Sequence, residues 1–259
     1  MNKVNKVVAL AVIILLSSVV ISCNHAAETP AATTTTSASE DINTALQLYK
    51  QREDLNKVRQ GVVALRQATT KDPGNYDAQW QLSKFNYYLA THTTDDTERD
   101  KAFRDGINAG ESATKLQPEK ADGHFWLGAN YGGAAERSAI QGLATVDDIK
   151  KQMETVLRLD SGYQNGSAYM VLGLVYLNAP ALVGGDPKKA VEIMEQGQSY
   201  GEPNAFFHLN LAKAYAKVGR TDDARKQLDA ILKMSPDQNY LPEYKEASTE
   251  AQKLMSEIK

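Results

Sequence analysis

The chain has 259 residues, of which 42% are hydrophobic and 24% are charged, and its formal net charge at pH 7 is −3. This mildly acidic balance lacks the clustered basic surface that nucleic-acid binding requires, so nucleic acid is excluded as a partner. Cys23 is the only cysteine, which excludes an intramolecular disulfide.

Residues 1–22 have the organisation of a bacterial export signal. Two lysines precede an uncharged apolar run, and this run of about 14 residues is too short to span a bilayer comfortably as a helix. Residues 20–22 (Val-Ile-Ser) resemble a lipobox in front of Cys23. We therefore predict cleavage after residue 22 and lipidation of Cys23. The alternatives are a transmembrane anchor and a buried thiol.

Residues 23–40 contain no large apolar side chain and are rich in Ala and Thr. Such a segment cannot bury enough surface to offset the entropy of ordering it, so it is predicted to be a flexible tether behind the lipid. A lipid-anchored protein of the bacterial envelope, facing the periplasm, follows from this reading. Asn24, where an aspartate would be the alternative, favours the outer over the inner membrane.

Helical periodicity begins at residue 41, and residues 41–259 are predicted to be one helical-repeat domain. A first helix pair is marked by the apolar positions Ile42, Ala45, Leu46 and Tyr49, then Leu55, Val58, Val62 and Leu65. Asp72-Pro73-Gly74-Asn75 ends this pair. The next returning helix is predicted from about Glu98 to Leu116, after a long connection.

One pattern recurs in the helices that follow: a large residue, then Leu, a small residue and Tyr, all on one helical stripe. Its copies are His124-Leu127-Gly128-Tyr131, Tyr169-Leu172-Gly173-Tyr176 and His208-Leu211-Ala212-Tyr215, with a fainter copy at Gln79-Leu82-Ser83-Asn86. The first helix of a tetratricopeptide repeat (TPR) has this pattern. The sequence therefore predicts an all-α TPR solenoid with insertions, ending in a C-terminal capping helix after Pro242.

Glycine and proline residues predict the structure of two connections between helices. Gly132-Gly133 is expected to weaken the helix, so a separate short helix is predicted from Ala134 to Ile140, followed by a closing helix from about Val146 to Leu159. Between residues 178 and 187 a structural turn is predicted, formed by Pro180, Gly184, Gly185 and Asp186. Asp186 followed by proline is an N-cap signal, which favours turn geometry over a phosphate loop.

Residues suited to catalysis are few. The chain has no His-Glu-x-x-His motif, no cysteine pair and no Walker-type loop. His124 and His208 stand where the repeat has a bulky packing residue, so packing is favoured over metal binding or proton transfer. We expect no enzyme activity, no metal and no cofactor.

The opposite face of each first helix is expected to line the concave side of the array. Its predicted lining, mostly apolar and aromatic, is Trp80, Lys84, Tyr87, Tyr88, Phe125, Ala129, Met170, Leu174, Leu177, Phe206, Leu209 and Lys213. Three interpretations stay open: another helix of the chain fills the concavity, a ligand groove or pore lies there, or a protein docks there.

A resemblance to a known family is carried by residues 172–176, Pro180, 184–186 and Ala190, with support from 126–128. The chain resembles the TatT family, the T component associated with tripartite ATP-independent periplasmic (TRAP) transporters. The resemblance covers roughly residues 42–240. It implies a lipid-anchored periplasmic helical protein that can form a homotrimer around pores. Each pore would take a small hydrophobic or organic-acid ligand, and the partner would be the solute-binding P component.

The first functional hypothesis is thus a non-catalytic binding and hand-off component of a TRAP-type transport system. It would bind a solute, a solute-binding protein, or both through the concave face. The alternative is a general TPR scaffold lipoprotein for protein–protein interactions in the cell envelope, with the membrane reached through the lipid anchor only.

Replacing Cys23 with serine should release the protein from membranes, because stable anchoring needs the acyl chains that the thiol would carry. Detergent phase partitioning of the full chain expressed in a bacterium, with mass spectrometry of its N-terminal peptide, measures this. Asn24→Ser should keep the lipid. Membrane retention of Cys23→Ser would show that the anchor lies elsewhere.

Overall fold

The structure is a computed structural model that describes residues 37–137 and 139–258. Within these ranges the chain forms eleven α-helices and no β-strand: α1 (Ala38–Tyr49), α2 (Leu55–Lys71), α3 (Tyr76–His92), α4 (Asp96–Leu116), α5 (Ala121–Ala135), α6 (Ala139–Leu159), α7 (Tyr163–Asn178), α8 (Pro187–Gly201), α9 (Ala205–Lys217), α10 (Thr221–Lys233) and α11 (Leu241–Glu257). Two short 3-10 helices cover Ala181–Val183 and Gln238–Tyr240. The predicted all-α class is confirmed. The predicted export signal, Cys23 and all but the end of the predicted tether lie outside the described residues.

The first helix begins ahead of residue 41, where the helical domain was expected to start. Ser37 Oγ accepts a hydrogen bond from Glu40 N at 3.2 Å, and the Glu40 carboxylate accepts one from Ser37 N at 2.6 Å. This reciprocal capping box satisfies two backbone N–H groups that would otherwise lack partners, so it starts the helix at Ala38.

The helices pack in consecutive pairs, α1 with α2, α3 with α4, and so on to α9 with α10. The recurring Leu, small and Tyr stripe lies between the two helices of a pair. In α7, Leu172 and Tyr176 are buried, and a Cβ on Gly173 would lie 2.6 Å from Met194 Cε of α8. Gly128 has the same relation to Met153 of α6, at 2.4 Å. The small residue is therefore required by close packing of the pair.

The predicted short helix at residues 134–140 is wrong. Helix α5 continues through both glycines to Ala135, and α6 already begins at Ala139. A Cβ on Gly133 would lie 2.3 Å from the Phe103 ring of α4, whereas Gly132 faces open space. Gly133 is thus needed for helix packing and does not act as a helix breaker here.

The turn between α7 and α8 is built around its glycines and aspartate. Gly184 has φ +85°, which glycine adopts without strain, and a Cβ on Gly185 would lie 1.7 Å from the Ala179 carbonyl oxygen. Asp186 N donates to Tyr176 O at 2.7 Å. The Asp186 carboxylate accepts from Lys188 N at 2.9 Å, so it caps α8.

The two motif histidines have the same surroundings in two repeats. The Nδ1 atom of His124 lies 2.6 Å from Gln152 Oε1, and its Nε2 lies 2.9 Å from Pro118 O. For His208 the corresponding distances, to Gln227 Oε1 and Glu202 O, are 2.7 and 3.0 Å. Each imidazole therefore joins the first helix of its repeat to the second helix and to the preceding turn. None of the helices in the described ranges combines the length and apolarity needed to cross a bilayer.

Gly173→Ala should destabilise the fold by about 1–3 kcal/mol, because the added methyl group would press against Met194 and the Ala190 carbonyl. The free energy of unfolding from urea denaturation measures this. Gly132→Ala is the matched control in a helix of the same class. It should stabilise by roughly 0.4–1 kcal/mol, since it meets no neighbour and restricts the unfolded chain. Equal effects of the two substitutions would contradict the packing role of Gly173.

Candidate functional site

Helix α11 crosses the side of the array on which the predicted lining residues lie, which we call the inner face. Near its start, Glu243 contacts Arg52, in the connection between α1 and α2. Further along, Glu250 lies 3.7 Å from Lys213 of α9, and at the end the Ile258 carbonyl accepts a hydrogen bond from Arg225 of α10 at 2.7 Å. One helix thereby joins the last repeat to the first.

The start of α11 is held to α1–α3 by charged and polar groups. Arg52, 5% exposed, donates from Nε to Glu243 Oε1 at 2.8 Å and also donates to the Asn239 carbonyl. An exposed ion pair of 2.9 Å joins Lys245 to Glu53. His92 Nε2 lies 3.7 Å from Glu246. Burial opposes a charge on His92, but the contacts with Glu246 and with the Tyr88 carbonyl, together with the charge of Glu243, outweigh burial and raise the pKa of the imidazole.

The rest of α11 is held by apolar packing. Ala247 and Ala251 are fully buried in the hydrophobic cluster that includes α9 and α10. Met170, Leu174 and Leu177 of α7 pack against the same cluster and remain partly exposed. A helix of the chain itself therefore covers part of the inner face, as one of the open interpretations required.

The predicted lining residues differ in exposure. Tyr88, Phe125, Ala129 and Leu209 are buried. The others keep part of their surface exposed, namely Trp80, Lys84, Tyr87, Met170, Leu174, Leu177, Phe206 and Lys213. The inner face is therefore neither open along its whole length nor sealed, and apolar side chains remain within reach of a ligand.

The part of the inner face formed by α1, α3 and α5 is aromatic and contains one lysine. The Lys84 ammonium lies 4.4 Å from the centroid of the Tyr49 ring and 5.7 Å from that of the Trp126 ring. Tyr87 and Trp126 contact each other with centroids 5.7 Å apart. Each ring can stabilise the cation through its π face.

Burial perturbs the titration of this group of side chains. Burial, with a smaller contribution from the positive charge of Arg52, lowers the pKa of Lys84 to about 8. Burial also raises the pKa values of Tyr87 and Tyr88 to about 12 and that of Tyr49 well above its ordinary value. Perturbed groups in a partly enclosed face are typical of binding sites.

A pocket of about 290 Å³ lies between the start of α11 and the first helices. Its lining includes Arg52, Tyr88, His92, Glu243 and Glu246. Among the described residues no three His, Cys, Asp or Glu side chains come together in the way that a metal ion requires. The described part of the inner face thus offers apolar surface and charged groups.

Sequence reasoning left three of these residues out of the predicted lining. Tyr49 carries the α1 periodicity, and Trp126 follows a predicted lining residue, so both had a signal in the sequence. Arg52 had none, since its partner Glu243 is 191 positions away. Periodicity within one helix does not reveal contacts between the two ends of a solenoid.

Residues 85–255 match the model of a protein family described as the TRAP transporter T-component. No curated protein sequence matches the chain. A thermophilic TPR protein of Thermus thermophilus has a similar structure, with a TM-score of 0.63, 17% identity, and 83% of this chain and 99% of that chain covered. The pilF protein of Pseudomonas aeruginosa is also similar, with a TM-score of 0.52, 17% identity, and 85% and 92% covered. At such identities these two likenesses show the TPR fold alone.

Arg52→Ala should loosen the start of α11, because Glu243 would lose its buried charged partner. Breaking such a contact costs a few kcal/mol, so amide hydrogen exchange at residues 243–248 should quicken by at least about tenfold. Exchange in α9 and α10 should change little. Lys245→Ala, which removes the exposed pair in the same turn, is the control and should change exchange only slightly. Unchanged exchange in Arg52→Ala would show that the apolar part of α11 alone holds it in place.

Proposed function

The chain belongs to the TRAP transporter T-component family, and from this premise we propose that it acts as the binding and hand-off component of such a transport system. It would bind a small hydrophobic or organic-acid solute, the solute-binding subunit of the transporter, or both, on the inner face. Binding and release involve no covalent step, since members of the family are transporter components and the TPR fold serves as an interaction scaffold.

One observation carries the binding part of this proposal. Four apolar side chains keep part of their surface exposed although they pack against the same cluster as α11, namely Met170, Leu174, Leu177 and Phe206. Apolar surface of this kind on an otherwise polar protein marks a ligand or partner site. The residues at the other end of the inner face, around Lys84, add charge to a face that is otherwise apolar and aromatic.

The location in the envelope is part of the same proposal. A component of a periplasmic transport system must face the periplasm, and lipidation of Cys23 would attach it to a membrane through acyl chains. Residues 23–36 would then connect the lipid to α1. Assembly as a homotrimer would multiply the inner faces available to the transporter.

Leu174→Asp should weaken binding of 1-octanol, an uncharged apolar probe, by at least about tenfold, because a carboxylate on the inner face removes apolar contact and would itself be desolvated. Titration calorimetry of the mature protein measures the octanol affinity. Surface plasmon resonance with an immobilised TRAP solute-binding subunit measures partner binding.

Leu182→Asp is the matched control. Leu182 lies in the 3-10 helix after α7 and is 93% exposed, so the same change of side chain there should leave both affinities unaltered. Absence of octanol and subunit binding in the unaltered protein would contradict the transport proposal. Binding of extended peptides on the inner face instead would favour the general envelope scaffold.

A further inference from the structure

Lys84 is a partly buried cation without an anionic partner. Among the described residues its side chain takes part in no hydrogen bond or ion pair, and its ammonium lies over the ring faces of Tyr49 and Trp126. Cation–π contacts compensate only part of the loss of water around an ammonium group. A site with this composition attracts an anion.

Lys213 occupies the equivalent repeat position in α9, and it has a partner. Its ammonium lies 3.7 Å from Glu250 of α11. Arg52, the other buried cation near Lys84, is bound by Glu243. The lack of a carboxylate partner therefore distinguishes Lys84 from the other two cations of the inner face.

The charges that face Lys84 from the surrounding elements do not neutralise it. Arg52, between α1 and α2, repels the ammonium, while Glu243 of α11 and Asp122 of α5 attract it. Both carboxylates already have partners, since Glu243 binds Arg52 and Asp122 accepts a hydrogen bond from Tyr163 at 2.8 Å. Tyr49, Tyr87 and Tyr88 stay neutral, because burial raises their pKa values.

A second observation at the same place also indicates an acceptor. Trp126 is 7% exposed, and its indole Nε1, a hydrogen-bond donor only, has no partner among the described residues. A buried donor without an acceptor costs about 1–3 kcal/mol. The indole whose ring centroid lies 5.7 Å from the Lys84 ammonium thus carries an unused donor.

We propose that Lys84, with the indole of Trp126, forms a subsite for the single anionic group of a solute whose apolar body lies along the inner face. This inference rests on the proposed function and specifies its ligand class as an amphiphilic monoanion. The anion would supply the acceptor that both donors lack. The partly exposed aromatic and aliphatic side chains would contact the rest of the molecule.

Anion binding at this position is coupled to protonation of Lys84. The pKa of the free site, about 8, is lowered by burial and by Arg52, and a bound anion raises it by stabilising the charged form. Affinity for the anion is therefore highest below pH 8 and falls as the pH rises above about 8, with uptake of a proton on binding.

The experiment compares octanoate with 1-octanol, which share an eight-carbon body and differ in charge. For the unaltered protein at pH 7 we expect octanoate to bind more tightly. Lys84→Met should lower the octanoate affinity by about tenfold or more and leave the octanol affinity unchanged. Folding should persist, since replacing an uncompensated buried charge with an apolar group of similar volume is neutral or stabilising.

Two further variants sharpen the result. Lys84→Arg should keep the preference for octanoate and lose the decline in affinity above pH 8, because arginine stays charged. Lys189→Met is the control, since the Lys189 ammonium lies an equal 4.4 Å from a tyrosine ring but is exposed. It should change neither affinity. Calorimetry in buffers of different ionisation enthalpy measures the proton uptake.

The proposal is overturned if the unaltered protein binds octanoate no more tightly than octanol. Equal weakening of both ligands by Lys84→Met overturns it as well, since that result indicates a structural role. Absence of binding to the TRAP solute-binding subunit, with an intact Lys84-dependent octanoate site, would contradict hand-off to a transporter and leave the anion subsite standing. The two proposals can therefore fail separately.

Discussion

Close packing within each helix pair is the constraint on which the rest of this molecule depends. The small residue of the repeat stripe lets the two helices approach until Met194 or Met153 fills the space where a side chain would stand. Because Leu and Tyr of the stripe are used in the same contact, the first helices have only their opposite side left to present. Packing within each pair thus decides which side of each first helix forms the inner face.

Helix α11 closes this array with two different kinds of contact. Its alanines are buried against α9 and α10, whereas its first turns meet α1–α3 through Arg52, Glu53 and His92. Apolar contact of this extent is lost only on unfolding, whereas breaking the buried Arg52–Glu243 pair costs a few kcal/mol and leaves the core in place. The end of α11 beside Lys84 is therefore the end that can move without loss of the core.

Features set by local sequence were predictable, whereas contacts between residues far apart in the chain were not. The periodic stripe gave the fold class, and the Pro, Gly and Asp residues gave the α7–α8 turn, because both depend on local geometry. Gly133 was misread, since its role is set by Phe103, a residue of another helix. Lys84 was predicted on the inner face, but the absence of a partner for it was not. That absence depends on where Glu243 and Arg52 meet, and no spacing rule encodes this.

Enclosure of Lys84 has two consequences that cannot be separated. Between two unit charges 4 Å apart the interaction is worth about 1 kcal/mol in water and about 4 kcal/mol at an effective dielectric constant of 20. The same loss of water lowers the pKa of Lys84 and strengthens its attraction to an anion. The interaction free energy is therefore larger there than at an exposed lysine such as Lys189. Glu243, at the start of α11, is one of the two carboxylates that act on this ammonium, and admitting water there would weaken the attraction for an anion and bring the lysine pKa back towards its ordinary value. Exclusion of water from the Lys84 ammonium would then favour capture of an anionic solute, and entry of water would favour its release.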